Sequence, residues 1–179
     1  MTKQTHIYDS FIVGAGISGI AAAIRLQKVG YDNFKIIEKA NRVGGTWREN
    51  TYPGVACDVP AHFYTYQFER NPEWSHRYAQ GNEIQEYFER VSQKHGVTAK
   101  VRFNEEVTEA RYDRGKWTVD TQSGKTFTAD FLVSATGILH KPVIPSFEGL
   151  EDYQGALFHT ARWDHSIDLA NKAVGVIGT

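Results

Sequence analysis

The hydrophobic pattern switches repeatedly between unbroken, helical and alternating stretches, and each switch predicts an element. Tyr8–Val13 ends in Phe11-Ile12-Val13, an apolar run without alternation, which suits a strand buried on both faces of a parallel sheet. Met1–His6 is polar and reads as a disordered tail. From Ile17 to Val29 the period becomes helical: Ile17, Ile20, Ala21 and Ile24 fall at i, i+3, i+4 and i+7, a buried stripe. Ala21-Ala22-Ala23 keep this helix thin enough to lie close to a sheet, and Gly30 is placed to cap it. Phe34–Ile37 is a second apolar strand, so a strand–helix–strand unit is complete by Glu38.

Lys39–Glu69 then shows little period and carries Gly44-Gly45, Pro53-Gly54 and Pro60. A stretch of this kind inside a compact domain is either functional or a misassigned element. Asn71–Tyr78 reads as loop. Glu83–His95 is again helical, with Ile84, Tyr87, Phe88 and Val91 on one face, Asn82 as N-cap, Gln85 as its capping-box partner and Gly96 as the stop. His95 in the last turn reads as a surface residue compatible with the helix dipole. From Lys100 to Thr128 the period drops to two, through Val101 and Phe103, Val107–Tyr112, then Trp117 and Val119. With Gly-containing turns at Asp113–Lys116 and Gln122–Lys125, this predicts an antiparallel meander inserted in the α/β unit, with Trp117 as a packing residue. Asp130–Gly137 is a buried strand ending in small residues, and Pro142 and Pro145 mark an extended connection.

At 179 residues the chain has room for one domain, or one and a fraction. It is 41% hydrophobic and 13% aromatic, which excludes a disordered composition. Net charge is −1 with Lys and Arg scattered, so no footprint for nucleic acid is present. Cys57 is the single cysteine; no internal disulfide is possible, and a reducing, cytoplasmic location is expected. No secretory signal opens the chain, and no apolar stretch is long enough to span a bilayer.

Candidate chemistry starts at Phe11–Gly19. Gly14, Gly16 and Gly19 stand in G-x-G-x-x-G spacing between a strand and a helix. The first permits the tight turn, the second leaves no side chain where a pyrophosphate must touch backbone, and the third lets helix and strand pack closely. The free N–H groups opening the helix would hold the anion. Glu38 follows roughly 20 residues later, where a ribose hydroxyl is usually held. The alternative is a glycine turn of some other α/β protein with Glu38 merely solvated. The aromatics Trp47, Tyr52, Phe63, Tyr64, Tyr66 and Phe68 leave two readings open: irregular core folded over the sheet, or a lid on a large flat ligand.

Gly44-Gly45-Thr46-Trp47, Asn50, Tyr52-Pro53-Gly54, Cys57-Asp58 and Tyr64 resemble the segment that follows the first dinucleotide unit in Baeyer–Villiger monooxygenases, which are FAD- and NADPH-dependent members of the flavin-containing monooxygenase superfamily. The resemblance implies that Gly45, Thr46, Trp47, Asp58 and Tyr64 lie near the flavin and that Glu38 holds the adenosine ribose of FAD. It also brings the backbone near Val107 toward the adenine. Ala135-Thr136-Gly137 resembles the Ala-Thr-Gly motif at which two-dinucleotide flavoproteins return to the cofactor. Tyr153–Asp164 resembles the family fingerprint through Gly155, His159, Trp163 and Asp164, with Tyr153 in place of the opening Phe. Read without the family, His159 and Trp163 are an ordinary i, i+4 packing pair. With it, they are a hinge between FAD and NADPH domains.

The resemblance implies an α/β, Rossmann-like FAD-binding domain of the two-dinucleotide-binding-domain flavoprotein type, with an inserted antiparallel β-meander, truncated. Residues 1–150 are expected to be the N-terminal portion of the FAD-binding domain and 151–172 the fingerprint linker. Residues 173–179 would be the first strand of a truncated NADPH-binding domain, with the NADPH site mostly beyond Thr179. The implied reaction inserts oxygen from O2 beside a ketone carbonyl to give an ester or lactone. Asp58 is the flavin-proximal carboxylate that positions the family's arginine, itself beyond Thr179, because Arg42 and Arg48 stand in the wrong segment. Two alternatives remain: a flavin-dependent N- or S-oxygenating enzyme, and a catalytically incompetent FAD-binding fragment.

Overall fold

The computed structural model of the chain describes residues 6–178. The tail expected at Met1–His6 lies outside the described residues apart from His6, where the first strand begins. The elements in order are β1 (His6–Val13), α1 (Ile17–Lys28), β2 (Phe34–Ile37), a short α2 (Thr46–Glu49), α3 (Gly81–Lys94), β3 (Val101–Arg102), β4 (Val107–Asp113), β5 (Lys116–Thr121) and β6 (Thr126–Ser134). They form one six-stranded sheet in the order β3-β2-β1-β6-β5-β4. The strands from β3 to β6 are parallel neighbours, while β5 and β4 continue the sheet antiparallel.

Phe11 and Ile12 are both fully buried, as an unalternating strand requires, and they feed two separate clusters. Ile12 joins Ile20, Ile24, Ile36, Ile84, Tyr87, Phe88 and Val91 under α1 and α3, while Phe11 joins Ile37, Val119, Phe127 and Ala129 on the opposite face.

The structure corrects several expectations. The buried stripe of α1 is Gly19, Ile20, Ala23 and Ile24; Ile17 is 39% exposed, because the first helical turn opens onto a cleft rather than onto the sheet. The C-terminal cap is as expected: Gly30 takes φ +84°, its N–H reaches the Gln27 carbonyl, and the Tyr31 N–H reaches Leu26. The capping box proposed for Asn82 and Gln85 is absent. Helix α3 starts at Gly81 with Gln80 as N-cap, and Gln85 points inward, its Nε2 donating to the Val43 carbonyl and to Glu89 Oε1, both at 2.8 Å. A Cβ on Gly44 would lie 1.7 Å from Gln85 Oε1, so this glycine is what admits the Gln85 amide. The strand β3 belongs to the parallel edge, pairing Val101 with Ile36, and not to the meander. Strand β6 is one strand that serves both the meander and the parallel sheet. It is only partly buried, with Phe127 and Ala129 covered but Phe131 62% exposed.

The loop aromatics divide between the core and a cleft. Tyr66 is core: its hydroxyl donates to the Ile17 carbonyl, its N–H donates to the Tyr87 hydroxyl, and burial pushes its phenol far up. Phe68 stacks on Tyr66 and carries Arg25 and Lys28 over its ring. Trp47 and Tyr64 face the cleft described below, and Phe63 is exposed. Among the described residues no helix is long and apolar enough to cross a membrane. Residues 172–178 form no strand among the described residues, so the strand expected there is not seen.

One ion cluster ties the meander to the parallel edge. The Glu105 carboxylate is buried and accepts from Arg102 Nε at 3.1 Å, Lys125 Nζ at 3.2 Å and the Ser123 N–H at 3.3 Å. Burial alone would raise its pKa, but these donors outweigh burial and hold it at about 2. A depressed carboxylate contributes fully above its unfolded value of 4.5 and progressively less as pH falls toward 2. Its partners Arg102 and Lys125 are partly exposed and screened by solvent, so Glu105→Gln is expected to cost about 1–2 kcal/mol at neutral pH and to flatten stability between pH 4.5 and 2. Urea denaturation of both forms at several pH values measures this; parallel pH curves would contradict it.

Candidate cofactor-binding cleft

The carboxyl ends of β1, β2 and β6 open into one cleft, at the place where a parallel sheet of this type presents its ligand site. The glycines set its floor. Gly14, at φ +100°, turns the chain out of β1 while its N–H stays on the Ile37 carbonyl at 2.8 Å. A Cβ there would lie 2.4 Å from the Ala135 carbonyl oxygen, and a Cβ on Gly19 would lie 1.9 Å from that of Gly14. Gly19 is buried beneath the cleft and serves packing. At Gly16 the nearest atom to an added Cβ is the Gly45 Cα at 3.6 Å, an ordinary contact, and the residue lines the cleft. No side chain caps α1, and its first-turn residues Ile17 and Ser18 line the cleft. The leading N–H groups of a helix have no intrahelical acceptor, so this cradle suits a pyrophosphate.

Glu38 closes the second side and is 6% exposed. Its Oε2 accepts from the Ala15 N–H at 2.8 Å, and its Oε1 accepts from the Ala40 N–H at 2.9 Å and from Arg48 Nη1 at 3.0 Å. On the third side Trp47 donates its indole N–H to the Tyr64 hydroxyl at 2.8 Å, the rings meeting edge to face at 5.3 Å. The Tyr64 phenol is raised, chiefly by burial, with the Trp47 bond opposing and the charges of Cys57 and Asp58 adding. Val107 at the head of β4 and Ala135-Thr136-Gly137 after β6 complete the walls.

Of the residues singled out in the sequence, Gly14, Gly16, Glu38, Gly45, Thr46, Trp47, Tyr64, Val107, Ala135, Thr136 and Gly137 line this one cleft. Asp58 does not: it is exposed, next to buried Cys57, whose thiol donates to the Val59 carbonyl at 3.0 Å. The fingerprint residues form a separate group. His159 Nδ1 accepts from the Ala161 N–H at 3.0 Å and so caps the short turn Thr160–Arg162. Trp163 packs edge to face on Phe158 at 5.1 Å. Asp164 is held below its ordinary pKa by bonds from the Ser166 hydroxyl and N–H. A Cβ on Gly155 would strike the Tyr153 ring. His165 Nε2 meets Thr51 Oγ1 at 2.8 Å, which links this group to the segment after α2.

Sequence reasoning missed several polar residues of the cleft, among them Arg48, Glu49 and His140. His140 Nδ1 lies 2.8 Å from Glu49 Oε2, and Glu49 Oε1 accepts from Arg48 Nη2 at 2.8 Å. They line the same cleft, whose cavity measures about 220 Å³ against the roughly 300–1,000 Å³ usual for a ligand site. The available signal was a charged pair two residues past the Gly44-Gly45 turn, in the segment whose resemblance points to the cofactor.

Residues 11–179 match the family described as Pyridine nucleotide-disulphide oxidoreductase. The chain is 48% identical over 168 residues to an uncharacterized monooxygenase of Mycobacterium tuberculosis, covering 94% of this chain and 34% of that one. It is 44% identical over 170 residues to a Baeyer-Villiger monooxygenase of Streptomyces coelicolor, covering 94% and 33%. Among solved structures, the open crystal structure of cyclohexanone monooxygenase superposes with a TM-score of 0.89 at 36% identity, covering 97% of this chain and 35% of that one. The structure of OTEMO in complex with FAD and NADP gives 0.81 at 33% identity, covering 89% and 31%. The chain thus spans about a third of the length of the relatives it matches.

Proposed function

The chain belongs to the pyridine nucleotide-disulphide oxidoreductase family, and from that premise we propose that it is the N-terminal FAD-binding part of a Baeyer–Villiger-type monooxygenase. In this reading residues 1–150 belong to the FAD domain, 151–172 carry the fingerprint linker, and 173–179 begin the NADPH domain. The observation that carries the reading is the cleft itself. A helix start that carries no side chain at Gly16, a buried carboxylate at Glu38 and an aromatic pair at Trp47 and Tyr64 converge on one groove, as a long ligand with an anionic middle requires. The 44% identity to a Baeyer-Villiger monooxygenase supports this reaction class.

The residues fit FAD. The N–H groups opening α1 would hold its pyrophosphate, Glu38 would accept from the adenosine ribose, and Thr46, Trp47 and Tyr64 would border the flavin. Bound FAD, reduced by NADPH, supplies the chemistry that activates O2. The protein's part is to orient and to exclude water. Tyr64 is held in place by the Trp47 indole and stays protonated, so it presents a fixed wall rather than a charge. Asp58, exposed beside this wall, is free to position an arginine from elsewhere in the full-length protein, which favours attack on a ketone carbonyl over electrophilic oxygenation of amines and sulfides. His159 acts as a conformational element: its Nδ1 is spent as an acceptor on its own turn.

The test is to incubate the full-length enzyme with NADPH and panels of ketones, amines and thioethers, and to identify the products by mass. Esters or lactones are expected from at least one ketone. Asp58→Ala is expected to lower ester formation about 100-fold while flavin content stays unchanged, with NADPH consumption diverted to hydrogen peroxide. Amine or thioether oxygenation with no ester from any ketone, and no effect of Asp58→Ala, moves the protein to the N- or S-oxygenating class.

A further inference from the structure

Among the described residues, Arg48 is the one cation in the cleft engaged by two carboxylates at once. Its side chain is 9% exposed; Nη1 donates to Glu38 Oε1 and to the Arg42 carbonyl, both at 3.0 Å, and Nη2 donates to Glu49 Oε1 at 2.8 Å. Glu49 is braced in turn by His140. A carboxylate offers about four lone-pair sites. On Glu38 the two of Oε1 are filled by Ala40 and Arg48, and one of Oε2 is filled by Ala15. A single acceptor site is left, on the oxygen that also binds the glycine turn.

We propose that Arg48 is a positioning residue for the adenosine ribose: by saturating Oε1 of Glu38 it leaves Oε2 as the acceptor for one ribose hydroxyl. The inference rests on reading the cleft as an FAD site. The planar fork of a guanidinium can bind both carboxylates in fixed geometry, which the point charge of a lysine ammonium cannot reproduce. Glu49 and His140 hold the fork from behind, so the post-β6 segment is tied to the ribose carboxylate through three side chains. Without Arg48, both oxygens of Glu38 could accept from water or ribose, and the register of the ribose would be lost.

The experiment measures dissociation constants of the full-length protein, by flavin fluorescence, for FAD and for an FAD analogue whose adenosine lacks the 2′-hydroxyl. The forms compared are wild type, Arg48→Lys, Glu49→Gln and Glu38→Gln. Wild type is expected to prefer FAD by about tenfold or more, the worth of a hydrogen bond to a charged acceptor. In Arg48→Lys that preference should collapse toward one, FAD weakening about tenfold and the analogue little. Glu38→Gln should show the same collapse, and Glu49→Gln a partial one; the last leaves Glu38 paired, so it keeps the test open if Arg48→Lys does not fold. Equal weakening of both ligands would mark Arg48 as a support of the fold and overturn the inference, as would a variant indistinguishable from wild type or a wild type indifferent to the hydroxyl. A wild type that binds no FAD would sink the cofactor assignment itself.

Discussion

Glu38→Arg in the full-length protein is expected to abolish retention of FAD, lowering affinity more than 100-fold. Three donors converge on this carboxylate: the Ala15 N–H, the Ala40 N–H and the Arg48 guanidinium. The substitution removes their acceptor and sets a second guanidinium beside Arg48 in a pocket where both side chains are more than nine-tenths buried. Leaving a buried charge unpaired costs about 3–5 kcal/mol, and the proposed ribose contact would be lost in addition. Glu38→Gln keeps the size and one acceptor oxygen, so it should fall between wild type and Glu38→Arg. The flavin-to-protein absorbance ratio after purification, with titration of the apoprotein, reads both. Normal flavin content in Glu38→Arg would remove Glu38 from the ribose site.

The glycines of the turn should separate by a simple pair of substitutions. Gly19→Ala puts a methyl group 1.9 Å from the Gly14 carbonyl oxygen, a main-chain atom held inside the strand–helix junction. Neither neighbour can yield without moving α1 off β1, so a loss of about 3–5 kcal/mol is expected, a fall of roughly 10 °C or more in Tm. Gly16→Ala meets only an ordinary contact at 3.6 Å. Its apoprotein should melt close to wild type while FAD affinity falls sharply, because the methyl occupies the space left for the ligand. Thermal melts of the apoproteins beside FAD titrations distinguish the two. Equal melting of Gly19→Ala and wild type would contradict the close approach of α1 to the turn.

What was legible in the sequence follows from range. β1, β2, α1 and the face of α3 are written in local periods, and they appear within a residue or two of where those periods place them. The Schellman end of α1 was legible because a glycine at φ > 0 is a local demand. Partners across the chain were not. Val101 carries the same alternation in a meander as at a parallel edge, and only its pairing with Ile36 decides between them. Gln85 matches a capping box by spacing, yet the chance to reach Val43 wins. The Arg48–Glu49–His140 bridge joins residues 91 positions apart, and no spacing rule contains that. The glycine floor of the cleft was readable since its glycines act on backbone geometry, while Asp58 was carried by resemblance and stands outside the cleft among the described residues.

The central place of β1 has a consequence for how the molecule is made. Its two neighbours are β2, which follows after one helix, and β6, which follows after roughly 120 residues of chain. The pair β1–β2 can zip early behind α1, but the edge of β1 that faces β6 must wait for the meander to be synthesised and turned back. Gly14 acquires its neighbour Ala135 only at that step. The groove is therefore among the last features to be assembled, and a nascent chain that ends before Ala135 has the glycine turn but no walls around it. Flavin capture would then report that this sheet is closed, and the ligand would act as a clasp on it rather than as a seed for it.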